Sequence, residues 1–245
     1  MQSPDVTAAP ASSAPPSYAI ARQLMVDGQV RPNRVTDPRL IAALRELPRE
    51  RFLPPSAAVL AYADEDVPLG VGQGRVGQGG SGRVMLAPMT LARLVQAMLD
   101  RSEGGHALVL GAGTGYGAAV LARCGFSVTA AEDDPALCAR ARLALAEVGA
   151  SVTAVEAGPA NPPQGPFEAI LIEGGFEVLP DTIAARLAPR GGAAGGRLYG
   201  IRRSGFGVGQ AVIGELTPAG LALVPLFDAF TACLPGLAAP PSFVF

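Results

Sequence analysis

The stretch HALVLGAGTGYGAAVLARCG, residues 106–125, constrains this chain more than any other: an apolar segment runs into a glycine-rich turn and leaves it along a helical pattern. Gly111, Gly113 and Gly115 carry no side chains, so a ligand can lie against bare backbone. The first N–H groups of the following helix face the same place. Glu132 closes FSVTAAE, the next apolar segment. An acid at that position accepts hydrogen bonds from both hydroxyls of a ribose in nucleotide-type α/β sites.

Composition narrows the ligand. A phosphate-gripping loop needs Lys followed by Ser or Thr after its last glycine. Tyr116 and Gly117 stand here instead, and the chain contains no lysine. A dinucleotide is harder to separate, because Gly113, Gly115 and Ala118 also fit G-x-G-x-x-A, with Glu132 near the expected distance. The turn alone leaves NAD and S-adenosylmethionine both open.

With 245 residues, 49% of them hydrophobic, the chain fits one substantial domain with a full core. Its 19 basic and 21 acidic residues nearly cancel, so no global field draws it to nucleic acid or an anionic membrane; neither is an expected partner. Cys124, Cys138 and Cys233 are odd in number and far apart, which suits neither a disulfide framework nor a CxxC site, and a reducing cytoplasm is the expected setting. Cys138 falls on the apolar side of a helix and reads as a core residue. With one histidine, His106, placed at the start of a predicted buried strand, histidine-rich metal sites are excluded; no metal is expected and the chemistry must need little acid–base help. MQSPDVTAAPASSAPPS lacks the form of a signal peptide, no apolar run is long enough to span a membrane, and a soluble protein is expected.

Residues 1–17, rich in Pro, Ala and Ser, are expected to be a disordered tail, followed by a helical N-terminal region over 18–105, a cofactor-binding core over 106–235 and a C-terminal tail over 236–245. In TDPRLIAALREL, Thr36 or Asp37 can cap, Pro38 suits the first helical position, and Leu40, Ile41, Leu44 and Leu47 form one stripe. Residues 70–83 hold seven glycines in fourteen positions, which predicts a loop, either a plain surface insertion or a lid over the cofactor. PMTLARLVQAMLD (88–100) places Leu91, Leu94, Val95, Met98 and Leu99 at helical spacing.

From there strands and helices alternate: strand 106–110, helix 116–124, strand 126–131, helix 135–148, strand 151–155, strand 167–172, helix 179–188. That rhythm predicts an α/β, Rossmann-like sheet with parallel strands. Leu137, Ala141, Ala144, Leu145 and Val148 give the helix over 135–148 its buried face. After GGAAGG the pattern becomes GRLYGI, QAVIGEL and LALVPLF, the last two joined by TPAG, which predicts an antiparallel C-terminal hairpin. Such an ending is less usual for a dinucleotide fold and tilts the ligand toward S-adenosylmethionine.

With these pieces placed, the chain resembles the protein-L-isoaspartate O-methyltransferases over most of residues 20–230. RQLMVDGQV (22–30) looks like the family's opening helix, DPRLIAALRELPRERFLP (37–54) like its next helix and loop, and YADEDVPLG (62–70) like the segment entering the substrate region. VMLAPMTLARLVQAML (84–99) is similar to its active-site turn and helix, and LGAGTGYGAAVLA to its cofactor motif. The resemblance implies a class I methyltransferase fold, S-adenosyl-L-methionine as methyl donor, and damaged proteins or peptides carrying isoaspartate as substrate. It carries Gly111, Ala112, Gly113, Gly115, Tyr116, Glu132 and Asp133 to the cofactor side, and Leu86, Ala87 and Pro88 to the substrate side, with no certain catalytic residue.

The chain also departs from the family pattern. Family members usually carry Ser, Gln and Pro where Leu86, Ala87 and Pro88 stand, an acid two places before the first glycine where Val109 stands, and an acid near the adenine around Gly158 and Pro159. The implied reaction is displacement of the sulfonium methyl by a carboxylate, which is already ionised at neutral pH and needs no base. The lost hydroxyl at Leu86 keeps two further readings open: methylation of another carboxylate, peptide or small molecule, and a cofactor-binding homologue without repair activity. A hydride-transferring dinucleotide enzyme is a distant fourth. S-adenosylhomocysteine is expected to raise the melting temperature of the purified protein and NAD to leave it unchanged; stabilisation by NAD alone would reverse the choice of cofactor.

Overall fold

The computed structural model describes residues 17–70, 83–189, 195–203 and 208–240. The expected tail (all but Ser17), the interior of the glycine-rich segment (71–82) and the last residues of the expected C-terminal tail (241–245) lie outside them.

Helix α1 (Tyr18–Met25) continues without a break as a wider, π-helical turn over Val26–Val30, so the segment resembling an opening helix (22–30) is helical throughout. Helix α2 (Pro38–Glu46) starts where its sequence predicts: the Asp37 carboxylate accepts from Arg39 N–H at 2.8 Å and Pro38 occupies the first turn. Leu40, Leu44 and Leu47 are buried and Ile41 is half-buried. Two short strands, β1 (Val67–Pro68) and β2 (Val84–Met85), pair antiparallel and bring the two ends of the glycine-rich segment together. Helix α3 (Pro88–Leu99) follows, with Leu91, Leu94, Val95, Met98 and Leu99 buried.

The core of the molecule is a seven-stranded sheet. Its strands are β3 (Gly105–Leu110), β4 (Phe126–Glu132), β5 (Val152–Glu156), β6 (Ala169–Phe176), β7 (Arg197–Arg202), β8 (Gln210–Thr217) and β9 (Gly220–Asp228). The order is β5-β4-β3-β6-β7-β8-β9. β5 through β7 run parallel, and β8 and β9 add antiparallel to them. The α/β class and the antiparallel ending are those predicted. Alternation along each strand separates two cores. Ala107, Val109, Leu171 and Tyr199 face the side covered by α1 to α3, α4 (Tyr116–Arg123) and α5 (Pro135–Glu147). Leu108, Leu110, Ile170, Ile172 and Leu198 face the side closed by α6 (Asp181–Ala184) and the segment carrying Leu234 and Leu237.

Three expectations change. The helix predicted over 179–188 shortens to the four residues of α6, because backbone groups around it pair elsewhere: Phe167 N–H donates to the Arg186 carbonyl and Ala188 N–H to the Phe167 carbonyl, both at 2.8 Å. The strand predicted over 167–172 therefore begins at Ala169, and it runs on to Phe176. His106 is exposed rather than buried, since the first two residues of β3 project past the covered part of the sheet. Cys138 is buried, as its helical position predicts.

No described helix is long and apolar enough to cross a membrane. Among the described residues, no group of three His, Cys, Asp or Glu side chains is placed to hold a metal ion. Leu108, fully buried in a strand with neighbours on both sides, is central enough that Leu108→Ala is expected to cost about 2–5 kcal/mol in urea unfolding. A loss below about 1 kcal/mol would contradict this placement.

Candidate functional site

The chain leaves β3 to pair on one side with β4 and returns on the other as β6, so the strand order reverses between β3 and β6. In open α/β sheets ligands bind beyond the carboxyl ends of the strands at such a point. The glycine turn lies there. Gly111 and Ala112 N–H groups both donate to the Ala131 carbonyl, at 3.0 and 3.1 Å, which fixes the turn against β4. The Thr114 hydroxyl donates to the Phe52 carbonyl at 2.5 Å and ties it to the N-terminal region. Gly113 adopts φ 54°, in the left-handed region that favours glycine, and a Cβ there would also overlap Leu69. The chain's own side chains thus occupy part of the space the glycines leave: Leu69 over Gly113 and Leu234 over Gly111.

Glu132 ends β4 with its side chain buried. One carboxylate oxygen accepts from Gly113 N–H at 2.8 Å. The other accepts from Asp134 N–H at 3.0 Å and from Arg83 Nε at 2.8 Å. Arg83, also buried, reaches on to Asp133 through Nη2. Burial pushes the Glu132 carboxyl up from its ordinary range, while Arg83 and the two N–H groups pull it back. A carboxylate offers about four acceptor positions, and three are used here. The expected bidentate contact to a ribose therefore requires the Arg83 guanidinium to release an oxygen. Asp133 fills the room beside Gly158, where an added side chain would meet its carboxylate, so the position where the family carries an acid after β5 faces the acid after β4. Tyr116 contributes its N–H to the start of α4. Its ring is buried edge-on against Phe52, and its hydroxyl has no partner among the described residues.

On the substrate side Leu86, Ala87 and Pro88 are all buried, and the Leu86 side chain packs in the apolar core. Its carbonyl accepts from Arg49 Nη2 at 2.5 Å. Ala87, not Leu86, lines a groove of about 590 Å³ shared with Leu60, Asp64, Asp66, Met89 and Phe230. The Asp66 carboxylate accepts from Ala87 N–H at 2.8 Å and from the Thr231 hydroxyl at 2.5 Å; Asp64 accepts from Met89 N–H at 3.1 Å. Burial pushes Asp66 up, against those bonds and the charge of Arg49.

Four residues that sequence reasoning passed over belong to this region: Arg83, Asp66, Arg49 and Glu173. Glu173 left the clearest signal, a lone charge inside the apolar strand AILIEGGF. It is buried, and burial pushes its carboxyl up to about 8, opposed by Arg49 and helped by Glu132. Register places it beyond Ile172, which pairs with Leu110, and two positions after Leu171, which pairs with Val109. Arg49 is fully buried, with its guanidinium 5.0 Å from the centre of the Tyr116 ring.

A family model described as protein-L-isoaspartate(D-aspartate) O-methyltransferase matches residues 21–198. A protein named protein-L-isoaspartate O-methyltransferase 1 from Rhodopseudomonas palustris (strain HaA2) is 36% identical over 192 residues, 77% of this chain and 72% of its own length. One named protein-L-isoaspartate O-methyltransferase from Methylorubrum extorquens (strain PA1) is 38% identical over 186 residues, 75% of this chain and 77% of its own. Among solved structures, a protein-L-isoaspartate O-methyltransferase shares the fold with a TM-score of 0.70 at 21% identity, over 90% of this chain and 67% of its own. A Plasmodium falciparum structure, described as a putative protein-L-isoaspartate O-methyltransferase in complex with S-adenosyl-L-homocysteine, does so with 0.68 at 15%, over 87% and 97%.

The raised Glu173 value sets a pH dependence of stability. A folded-state value of about 8, against an ordinary 4.5, means the folded protein holds a proton that the unfolded chain gives up. That stabilisation is complete below about pH 4.5 and is lost as pH rises through 8, at up to about 1.4 kcal/mol per pH unit. Glu173→Gln is therefore expected to lose less stability than wild type between pH 5.5 and 8 in urea unfolding. Parallel pH profiles for the two proteins would contradict it.

Proposed function

We infer that this chain, which belongs to the protein-L-isoaspartate(D-aspartate) O-methyltransferase family, transfers a methyl group from S-adenosyl-L-methionine to the free carboxylate of L-isoaspartyl residues in damaged proteins. The observation that carries this reading is the extent of the family match: residues 21–198 include the glycine turn with Glu132 and every lining residue of the groove at Ala87 but Phe230. Its three free cysteines suit the cytoplasm as the place of action.

The residues at the switch point fit the donor. The first-turn N–H groups of α4 have no partner within the helix and favour an anion such as the donor's α-carboxylate. The turn over Gly111, Ala112, Gly113 and Gly115 brings backbone close, and Glu132 with Asp133 supplies acceptors for ribose hydroxyls. When bound, the donor supplies an electrophilic methyl group on a sulfonium. The protein's part is placement: an isoaspartyl carboxylate is ionised at neutral pH, so no side chain has to remove a proton, and alignment of acceptor and methyl group carries the rate.

One observation favours a second reading, methylation of a different acceptor. The groove presents Asp64 and Asp66, and these carboxylates already take the Ala87 and Met89 N–H groups that would otherwise hold an anionic acceptor. The decisive measurement is the initial rate of methyl transfer to an isoaspartyl peptide and to its aspartyl counterpart at saturating donor. Isoaspartyl-selective transfer is expected. Donor binding with no transfer to either peptide would favour the second reading, and no donor binding would remove the methyltransferase function. Because Leu86 packs in the core, Leu86→Ser is expected to cost about 2–4 kcal/mol of stability without raising isoaspartyl turnover. A ten-fold gain would show instead that the hydroxyl reaches the acceptor.

A further inference from the structure

Glu173 stands at the carboxyl end of β6, at the point where the strand order reverses. Its side chain lies over the first turn of α4, in room that exists only because residue 117 is glycine: a Cβ there would coincide with Glu173 Oε1. Glu173 is 8% exposed, and among the described residues Oε1 has no hydrogen-bond partner. Among them, too, Arg49, 0% exposed, leaves Nε and Nη1 without partners, and the buried Tyr116 hydroxyl has none. Glu173 and Arg49 sense each other's charge. A fold does not leave an acid, a guanidinium and a phenol unsatisfied around one helix start without cost. The arrangement suits a ligand that brings charges of both signs.

We propose that Glu173 is the counter-ion for the cationic end of the methyl donor, a binding residue on a strand outside the glycine turn. This rests on the donor reading above. The donor's amino-acid end carries a sulfonium and an α-ammonium, both cations, beside an α-carboxylate, for which the α4 N–H groups and Arg49 provide positive partners. The shared chemistry at Glu173 is a desolvated positive charge against a buried carboxylate, and donor analogues separate its two sources.

The charged and titratable groups facing Glu173 are Arg49 from the turn over Arg49–Phe52, Glu132 from β4 and Tyr116 from α4. Burial keeps the free carboxyl protonated at neutral pH, with a value of about 8. An arriving cation favours the anion, so binding expels a proton and affinity rises with pH up to that value. Calorimetry on the full chain with S-adenosylmethionine, S-adenosylhomocysteine and methylthioadenosine, from pH 6.0 to 7.5 in two buffers of different ionisation enthalpy, tests this. Wild type is expected to release close to one proton per S-adenosylmethionine bound, with affinity rising nearly ten-fold per pH unit.

Glu173→Gln, an isosteric neutral side chain whose folding a melting curve verifies, is expected to abolish the proton release and weaken S-adenosylmethionine on the order of 10- to 100-fold at pH 7.5. If the sulfonium is the partner, S-adenosylhomocysteine keeps its affinity; if the ammonium is, both fall together while methylthioadenosine is unaffected. Either result supports the proposal. Absence of proton release by wild type, which needs no variant, would overturn it, as would undiminished S-adenosylmethionine affinity in the folded variant. Binding of none of the three by wild type would overturn the donor reading itself.

Discussion

Three parts of the chain meet on the buried carboxylate of Glu132: the glycine turn through Gly113 N–H, the start of α5 through Asp134 N–H, and the end of the glycine-rich segment through Arg83. A carboxylate sealed in the interior is tolerable only when most of its acceptor positions are met, and here three of about four are met by the elements around the glycine turn. The position of the turn relative to β4, and of residue 83 relative to both, therefore follows from satisfying one charge. The same economy has a functional consequence, because a ligand that uses Glu132 competes with Arg83 for it.

A second constraint comes from polar groups that are not satisfied. Among the described residues, Arg49, Tyr116 and Glu173 bury atoms without partners where the sheet reverses, while in the groove beside Ala87 the Asp66 carboxylate takes the Ala87 N–H and the Thr231 hydroxyl, and Asp64 takes the Met89 N–H. Regions prepared for a ligand tend to hold such unmet demand, and regions serving the fold tend not to. The contrast marks the start of α4 as prepared for a charged small molecule. It marks the groove wall near Ala87 as structural in its polar part and shaped by Leu60, Met89 and Phe230 in its apolar part.

Much of this was legible in the sequence, and the failures share a cause. Strands β3 to β5 and β7 to β9 and helices α3 to α5 followed from hydrophobic period, β6 only in part, and the antiparallel ending from three β-rich segments, the last two joined by TPAG; the two-residue strands β1 and β2 left no such signal. The Asp37 cap and the glycine turn could be read because their chemistry is local. What could not be read depended on partners distant in sequence. The helix expected over 179–188 gave way to pairing with Phe167. Leu86, aligned with a substrate-side residue of the family, turns into the core. Arg83 reaches a carboxylate 49 positions away. Glu173 was visible as a charge in an apolar strand, but its meaning required knowing that β6 returns beside β3.

On the reading above, a methyl donor occupies the carboxyl end of the sheet between Glu132 and Glu173. A crystal structure of the full chain with S-adenosylhomocysteine tests it most directly. Ribose hydroxyls are expected on the Glu132 carboxylate with Arg83 displaced from at least one oxygen, and the amino-acid end of the ligand between the start of α4 and Glu173. A ligand bound elsewhere, with the Arg83–Glu132 pair intact and Glu173 still without a partner, would contradict it.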